Sequence, residues 1–157
     1  MKPLSRRTRA ILVGAFAVYV LIVLDLTLVR SGYHYDEHQL NLVPFVELFR
    51  VFRDAGIGRF VWLFLGNLGW FFPFGFLLPA MMKKDPGAAK VIGLGLLFSL
   101  IIETVQYFTR RGVAELDDLM LNTLGAALGY LAFRLVVRLR RETSATPQHE
   151  ADDHGDD

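Results

Sequence analysis

The chain contains no cysteine among its 157 residues. This absence excludes disulfide bonds, thiolate metal sites and cysteine nucleophiles. The sequence also has no phosphate-binding glycine loop, no serine–histidine pair and no His-Glu-x-x-His zinc motif. The usual signatures of nucleotide-dependent, serine-type and zinc-dependent enzymes are therefore missing. We expect no cofactor and no bound metal ion.

Charged residues are scarce within several long apolar runs. Hydrophobic residues make up 53% of the chain, and phenylalanine alone occurs 13 times. A run of about 20 apolar residues is long enough to cross the ~30 Å hydrocarbon core of a bilayer. We predict an all-α, polytopic helical bundle that occupies residues 1–141 as one membrane domain. Its four transmembrane helices are expected at about 10–29, 60–82, 89–109 and 119–137.

The lysines and arginines that flank these runs are concentrated on one side of the membrane. The side richer in these residues is normally cytoplasmic. We therefore predict a multi-pass plasma-membrane protein with both termini in the cytoplasm and the loops 30–59 and 110–118 outside. The first apolar run is too long for a signal peptide and lacks a small-residue cleavage site, which favours an uncleaved spanning helix. The polar, acidic tail 142–157 is expected to be disordered and cytoplasmic. Other basic residues lie on the opposite side, so we expect no nucleic-acid partner.

Three local patterns refine this picture. Pro44 precedes a segment in which apolar and charged residues are interleaved, which predicts a short amphipathic helix on the outer membrane interface. Pro73 lies inside the second predicted helix and should kink it. Gly125 and Gly129 form a small-xxx-small pattern that allows two helix backbones to approach closely.

Polar residues from distant parts of the chain fall at one predicted depth, near the outer surface. Ser99, Glu103, Gln106 and Arg110 recur at intervals that place them on one face of a helix. A carboxylate inside a membrane is costly unless it has partners, and by default it marks a functional site. We expect Glu103 to be satisfied by Arg110, by amide side chains of this group, or by its own proton. The predicted polar cluster comprises Asn41, Asn67, Glu103, Gln106, Arg110, Asp117, Asp118 and Asn122.

Several motifs of the chain resemble the VanZ-like membrane family. They are "NLVPF" from Asn41, "GNLGWFFPFGFLLP" from Gly66, and "SLIIETVQYFTRRGVAELDDLMLNTLGAALG" from Ser99. Glu115 stands where the family pattern has the first acid of D-x-x-D. The resemblance implies a small polytopic cell-envelope protein linked to lipid-anchored antibiotics or wall precursors. The family takes its name from a protein associated with low-level teicoplanin resistance, so antibiotic resistance is also implied.

Three interpretations of the polar cluster follow. It would bind a membrane lipid head group, a wall precursor or a glycopeptide with an acyl tail, with Arg110 or Arg111 pairing with a phosphate. Alternatively, it would act on a lipid-linked envelope precursor, with Glu103 as general acid or base and Asp117 and Asp118 holding Mg²⁺. A structural network that fixes the register of the helices is the third interpretation. We favour binding over catalysis.

Overall fold

The fold is a bundle of long helices, seen in a computed structural model that describes residues 5–29, 34–82 and 84–145. Its helices are α1 Arg6–Leu24, α2 Val46–Met81, α3 Ala88–Thr109 and α4 Leu116–Ala145. A π-helical turn, Asp25–Val29, extends α1. Within the described residues, four helices are long and apolar enough to cross a membrane. The predicted all-α bundle of four spanning helices is confirmed.

The boundaries of the helices differ from the predicted ones in two places. Helix α2 runs from Val46, but a break at Gly56 divides it, so residues 46–55 form a short helical segment before the long one, as predicted after Pro44. The helical dihedral angles within α2 break at Gly56, with φ 79° and ψ 174°, rather than near Pro73. Glycine adopts such a positive φ at low cost, since it has no Cβ. Helix α4 continues through 142–145, and the rest of the predicted tail lies outside the described residues.

Two short strands tie the loops at one end of the bundle together. Strand β1, Gln39–Asn41, pairs in parallel with β2, Val113–Glu115. The pairing places Asn41 opposite Glu115. No pattern in the sequence predicted these strands. They join the segment before α2 to the connection between α3 and α4.

Helices α2 and α4 pack backbone against backbone at the predicted pair of glycines. A Cβ added to Gly125 would lie 2.3 Å from the carbonyl oxygen of Leu68. One added to Gly129 would lie 2.1 Å from the carbonyl oxygen of Phe72. Any side chain larger than hydrogen would push the helices apart. The small-xxx-small pattern therefore serves a contact within the chain.

Aromatic side chains fill the space between the helices, and many apolar side chains face outward. The principal core cluster contains Val23, Phe71, Phe74, Ile102 and Ala126, and a second one contains Val91, Tyr130 and Phe133. Large apolar side chains are exposed on all four helices, including Ile11, Trp62, Phe108 and Leu131. A soluble domain of this size rarely exposes so much contiguous apolar surface. This distribution is consistent with contact between the bundle and lipid.

Candidate functional site

The carboxylate of Glu103 is buried at the end of the bundle where α3 finishes and α4 begins. Its side chain is only 6% exposed, and its Oε2 accepts a hydrogen bond of 2.9 Å from the backbone N–H of Glu115. The expectation that an amide or arginine side chain would satisfy this carboxylate is wrong. The last residue of β2, immediately before α4, supplies the donor instead, while the amides of Asn67 and Asn122 bind elsewhere.

The two asparagines of the cluster link α4 to its neighbours. Asn67 on α2 donates from its Nδ2 to the Oδ1 of Asp118. Asn122 donates from its Nδ2 to the Oγ of Ser99 on α3, at 2.9 Å. Ser99 is fully buried and Asn122 nearly so. The polar face predicted on α3 thus meets α4, and α2 joins them through Asn67.

Asp117 connects the start of α4 to the start of α2. Its Oδ1 accepts a hydrogen bond of 2.5 Å from the backbone N–H of Phe45, which adopts the left-handed conformation with φ 64°. Asp117 is only 4% exposed, and its other carboxylate oxygen, Oδ2, is buried without a hydrogen-bond partner. Asp117 and Asp118 therefore stabilise two different contacts with α2, although they are adjacent in sequence.

The remaining predicted members lie toward the loops. Gln106 donates to the carbonyl oxygen of Thr27 at 3.3 Å, while its own Oε1 is buried without a partner. Asn41 accepts a hydrogen bond of 3.3 Å from the backbone N–H of Val43. The guanidinium of Arg110 donates to the carbonyl oxygen of Asp36 at 2.9 Å. The contacts of Asn41 and Arg110 fix loop geometry, and that of Gln106 ties α3 to the π-helical turn after α1.

The structure does not bring the two arginines near Glu103 to a common anion site. Arg110 caps α3 in the left-handed conformation, with φ 54°, and binds the loop before β1. The guanidinium of Arg111 lies 3.5 Å from the carbonyl oxygen of Leu28. Both groups are directed to backbone carbonyls, one in the loop before β1 and one in the π-helical turn that extends α1. The geometry gives no support to their predicted pairing with a phosphate.

Glu115 also belongs to this site, although its position in the sequence marked it only as a departure from the family pattern. It lies on β2, outside the spanning helices, and is half-buried. Burial, and then the nearby carboxylate of Asp118, raise the pKa of Glu115 to about 8. At neutral pH this side chain is therefore mainly protonated, and it can donate as well as accept a hydrogen bond. The signal that could have identified it is its spacing of three residues from Asp118, because residues three apart at the start of a helix are neighbours.

A groove opens beside the two glutamates, between β1, α3 and the start of α4. Its volume is about 220 Å³. Apolar side chains form most of its wall, and the carboxyl groups of Glu103 and Glu115 are its acidic members. We call it the Glu103 groove. Its lining residues are Leu40, Leu42, Leu100, Glu103, Thr104, Tyr107, Phe108, Ala114, Glu115, Leu116 and Leu119.

The acidic residues here do not form a metal centre. Within the described residues 5–29, 34–82 and 84–145, no three His, Cys, Asp or Glu side chains are grouped so that they would hold a metal ion. Asp117 and Asp118, which the sequence suggested as Mg²⁺ ligands, bind Phe45 and Asn67 instead. The geometry therefore gives no support to the proposed magnesium site.

These observations define a small multi-pass membrane protein with an acidic polar cluster and an apolar groove at one end of a helical bundle. A family model described as VanZ/LLP1 matches residues 16–137, and the chain belongs to this family. Protein VanZ from Enterococcus faecium is 28% identical over 128 residues, which cover 78% of this chain and 73% of the relative. No solved structure matches the chain. The predicted resemblance is confirmed, and the protein is a VanZ-like cell-envelope protein.

Proposed function

We propose that the protein binds an acyl-bearing amphiphile of the outer leaflet at the Glu103 groove. The ligand classes are a membrane lipid, a lipid-linked wall precursor or a lipoglycopeptide, and capture of the last would lower glycopeptide susceptibility. The observation that supports this proposal is the groove itself, in which a mainly apolar wall meets the carboxyl groups of Glu103 and Glu115. Small-molecule sites commonly combine such a wall with a few polar groups.

The size of the groove favours a part of a larger ligand. Its volume of about 220 Å³ is below the roughly 300–1,000 Å³ of sites that enclose a whole drug-sized molecule. A segment of an acyl chain would contact Leu100, Phe108 and Leu119, while the rest of the ligand would extend into the bilayer or the aqueous phase. Burial of the chain would contribute about 25 cal/mol for each Å² removed from water.

The acidic residues favour a ligand with hydrogen-bond donors at its polar end. Hydroxyl, amide and amine groups would donate to Glu103 and Glu115. The residues that line the groove include no lysine or arginine that could pair with a phosphate, and Arg110 already donates to the carbonyl oxygen of Asp36. The glycan or peptide portion of an envelope amphiphile, rather than its phosphate, would therefore lie next to the two glutamates.

Native mass spectrometry of the full chain in mild detergent tests the proposal. The probes are teicoplanin with and without its acyl tail. We expect wild type to retain the acylated form in preference to the deacylated form. Leu100→Trp fills the groove and should abolish this preference. Leu97→Trp is the matched control, because Leu97 has a similar exposure on α3 but does not line the groove.

Glu103→Gln separates binding from a purely structural role. If the carboxylate contacts the ligand, this variant should retain less probe while its thermal stability changes little, since the amide oxygen still accepts from the N–H of Glu115. Equal retention by wild type, Leu100→Trp and Glu103→Gln would reject the groove as a binding site. The cluster would then be a network that fixes the helices in register.

A second candidate function is catalysis on a lipid-linked precursor, with Glu103 as acid or base. It is favoured by the burial of this carboxylate at the wall of a groove. Purified wild type and Glu103→Gln would each be incubated with membranes, and the envelope lipids compared by mass spectrometry. Identical lipid profiles would exclude this candidate, whereas a product that depends on Glu103 would support it.

A further inference from the structure

A second groove, at the opposite end of the bundle, has cationic side chains at its wall. It lies between the end of α2, the loop that follows it and the last turns of α4, and its volume is about 780 Å³. This volume falls within the usual range of ligand sites. We call it the Arg134 groove. Its lining residues are Pro79, Met82, Lys84, Asp85, Leu131, Phe133, Arg134, Leu135, Val137, Arg138 and Arg141.

One cation of this groove is held in place by a network of hydrogen bonds. The guanidinium of Arg134 donates to Asp85 at 2.9 Å and to the hydroxyl of Tyr130 at 3.2 Å. Tyr130 itself donates to Asp85 at 2.9 Å. The pKa of Asp85 lies below its usual range, mainly because the backbone N–H of Gly87 donates to its carboxylate and to a smaller extent because Tyr130 and Arg134 also do. Asp85 therefore stays ionised, and it fixes the loop against α4.

The charges that line the groove are not balanced. Lys84, Arg134, Arg138 and Arg141 contribute four cationic groups, whereas Asp85 contributes the one carboxylate. The Arg134 and Arg138 side chains remain 57% and 79% exposed despite their ion pairs with Asp85 and Glu142. Their remaining N–H groups are accessible to a ligand, and arginine pairs well with phosphate oxygens.

The apolar side chains in the same groove indicate where a ligand would come from. Leu131, Leu135 and Val137 lie on α4 among the arginines, so a ligand would meet apolar and cationic side chains together. A free phosphate would gain nothing from contact with the apolar side chains of the groove. A phospholipid matches both parts, with its phosphate at the arginines and its acyl chains along α4. Basic pockets between spanning helices bind anionic head groups in this way.

We propose that the Arg134 groove binds the phosphate-containing head group of an anionic phospholipid. The predicted topology places this end of the bundle in the cytoplasmic leaflet. The site is independent of the Glu103 groove and of its proposed ligand, because the two grooves lie at opposite ends of the bundle and share no lining residue.

Native mass spectrometry of the full chain in mild detergent, with phosphatidylglycerol or phosphatidylcholine added, tests this proposal. We expect wild type to retain phosphatidylglycerol preferentially. The double variant Arg138→Gln/Arg141→Gln removes two groove cations and should weaken retention at least about tenfold, since each basic residue near anionic lipid contributes a several-fold effect. The matched control Arg6→Gln/Arg7→Gln removes two exposed charges at the same end of the bundle, outside the groove, and should retain the lipid like wild type.

Lipid binding at the groove can be separated from misfolding, from unspecific adhesion of lipid and from binding of a free anion. Circular dichroism in the same detergent should show both double variants folded, since the four substituted side chains are exposed. Added salt should weaken retention of phosphatidylglycerol by wild type, and millimolar inorganic phosphate should not displace this lipid. Equal retention of the two lipids, or equal losses in the two double variants, would overturn the proposal. Displacement by inorganic phosphate would also overturn it and would assign the groove to a free anion.

Discussion

The backbone contact between α2 and α4 can be tested at Gly129. In Gly129→Ala, the new Cβ would lie 2.1 Å from the carbonyl oxygen of Phe72 and 2.9 Å from the backbone nitrogen of Phe76. Real Cβ atoms essentially never come closer than 3.0 Å to such atoms, so the helices would have to separate by roughly 1 Å. Neither contact is the flexible end of a side chain, and the strain cannot be relieved by a rotamer change.

The energetic cost can be bounded from this geometry. Overpacking a closely packed contact typically costs about 1–3 kcal/mol, and we expect the upper part of this range because both neighbours are backbone atoms. A separation of 0.5–1 Å also removes about a quarter to a half of the dispersion attraction across the interface. The better helix propensity of alanine offsets about 1 kcal/mol. The net expectation is a loss of about 2 kcal/mol.

Gly93→Ala on α3 is the matched control, because a Cβ at Gly93 would meet no atom within 4 Å. It should be neutral or up to about 1 kcal/mol more stable than wild type. Unfolding by a denaturing detergent, followed by the fluorescence of Trp62 and Trp70, would compare the variants. If Gly129→Ala and Gly93→Ala unfolded at the same detergent fraction, the close contact between α2 and α4 would be refuted.

Three further predictions concern the polar cluster and the residues beside it. The pKa of Glu115 is raised in the folded state, so this residue contributes stability that is full below about pH 4.5 and is lost as the pH rises toward 8. Glu115→Gln should therefore flatten the fall in melting temperature measured between these two pH values. An unchanged slope would contradict the raised pKa of Glu115. Asn122→Ala should destabilise the protein by about 1–3 kcal/mol, because the buried hydroxyl of Ser99 loses its partner. In a double-mutant cycle measured by detergent unfolding, the effects of Asn122→Ala and Ser99→Ala should be less than additive. Full additivity would exclude the hydrogen bond between these two side chains. Phe45→Gly relieves a left-handed conformation that costs about 1–2 kcal/mol, so this variant should be no less stable than wild type in detergent unfolding. Greater destabilisation by Phe45→Gly than by Phe45→Ala would argue against the left-handed conformation of Phe45.

The sequence predicted the parts of the fold that depend on local patterns. Long apolar runs identified four spanning helices, and spacing placed Ser99 and Glu103 on the face of α3 that meets α4. The pairing of β1 with β2 escaped prediction because three-residue strands carry no usable periodicity and their partner lies more than 70 residues away. The donor to Glu103 escaped for the same reason, since a backbone N–H has no signature in the sequence.

Pairing between individual polar groups was also beyond the sequence. Arg110 has the charge to neutralise Glu103, and it lies two helical turns away on the same face. In the structure, Arg110 instead ends α3 in the left-handed conformation, and its guanidinium donates to the carbonyl oxygen of Asp36. Helix termini leave backbone groups without partners. The conformation of the neighbouring loops determines which side chains bind these groups. Position on a helix face therefore predicted which residues would be neighbours, but not which atoms would bind.

The glycine contact and the polar cluster depend on each other. Gly125 lets α4 approach the carbonyl oxygen of Leu68, and the adjacent residue Asn67 then reaches Asp118. Widening this contact by roughly 1 Å would stretch the hydrogen bond between Asn67 and Asp118 and leave the Asp118 carboxylate with less compensation for its burial. Asp118 also raises the pKa of Glu115 at the wall of the Glu103 groove. Substitutions at Gly125 should therefore change the protonation of Glu115, although no atom of Gly125 lines that groove.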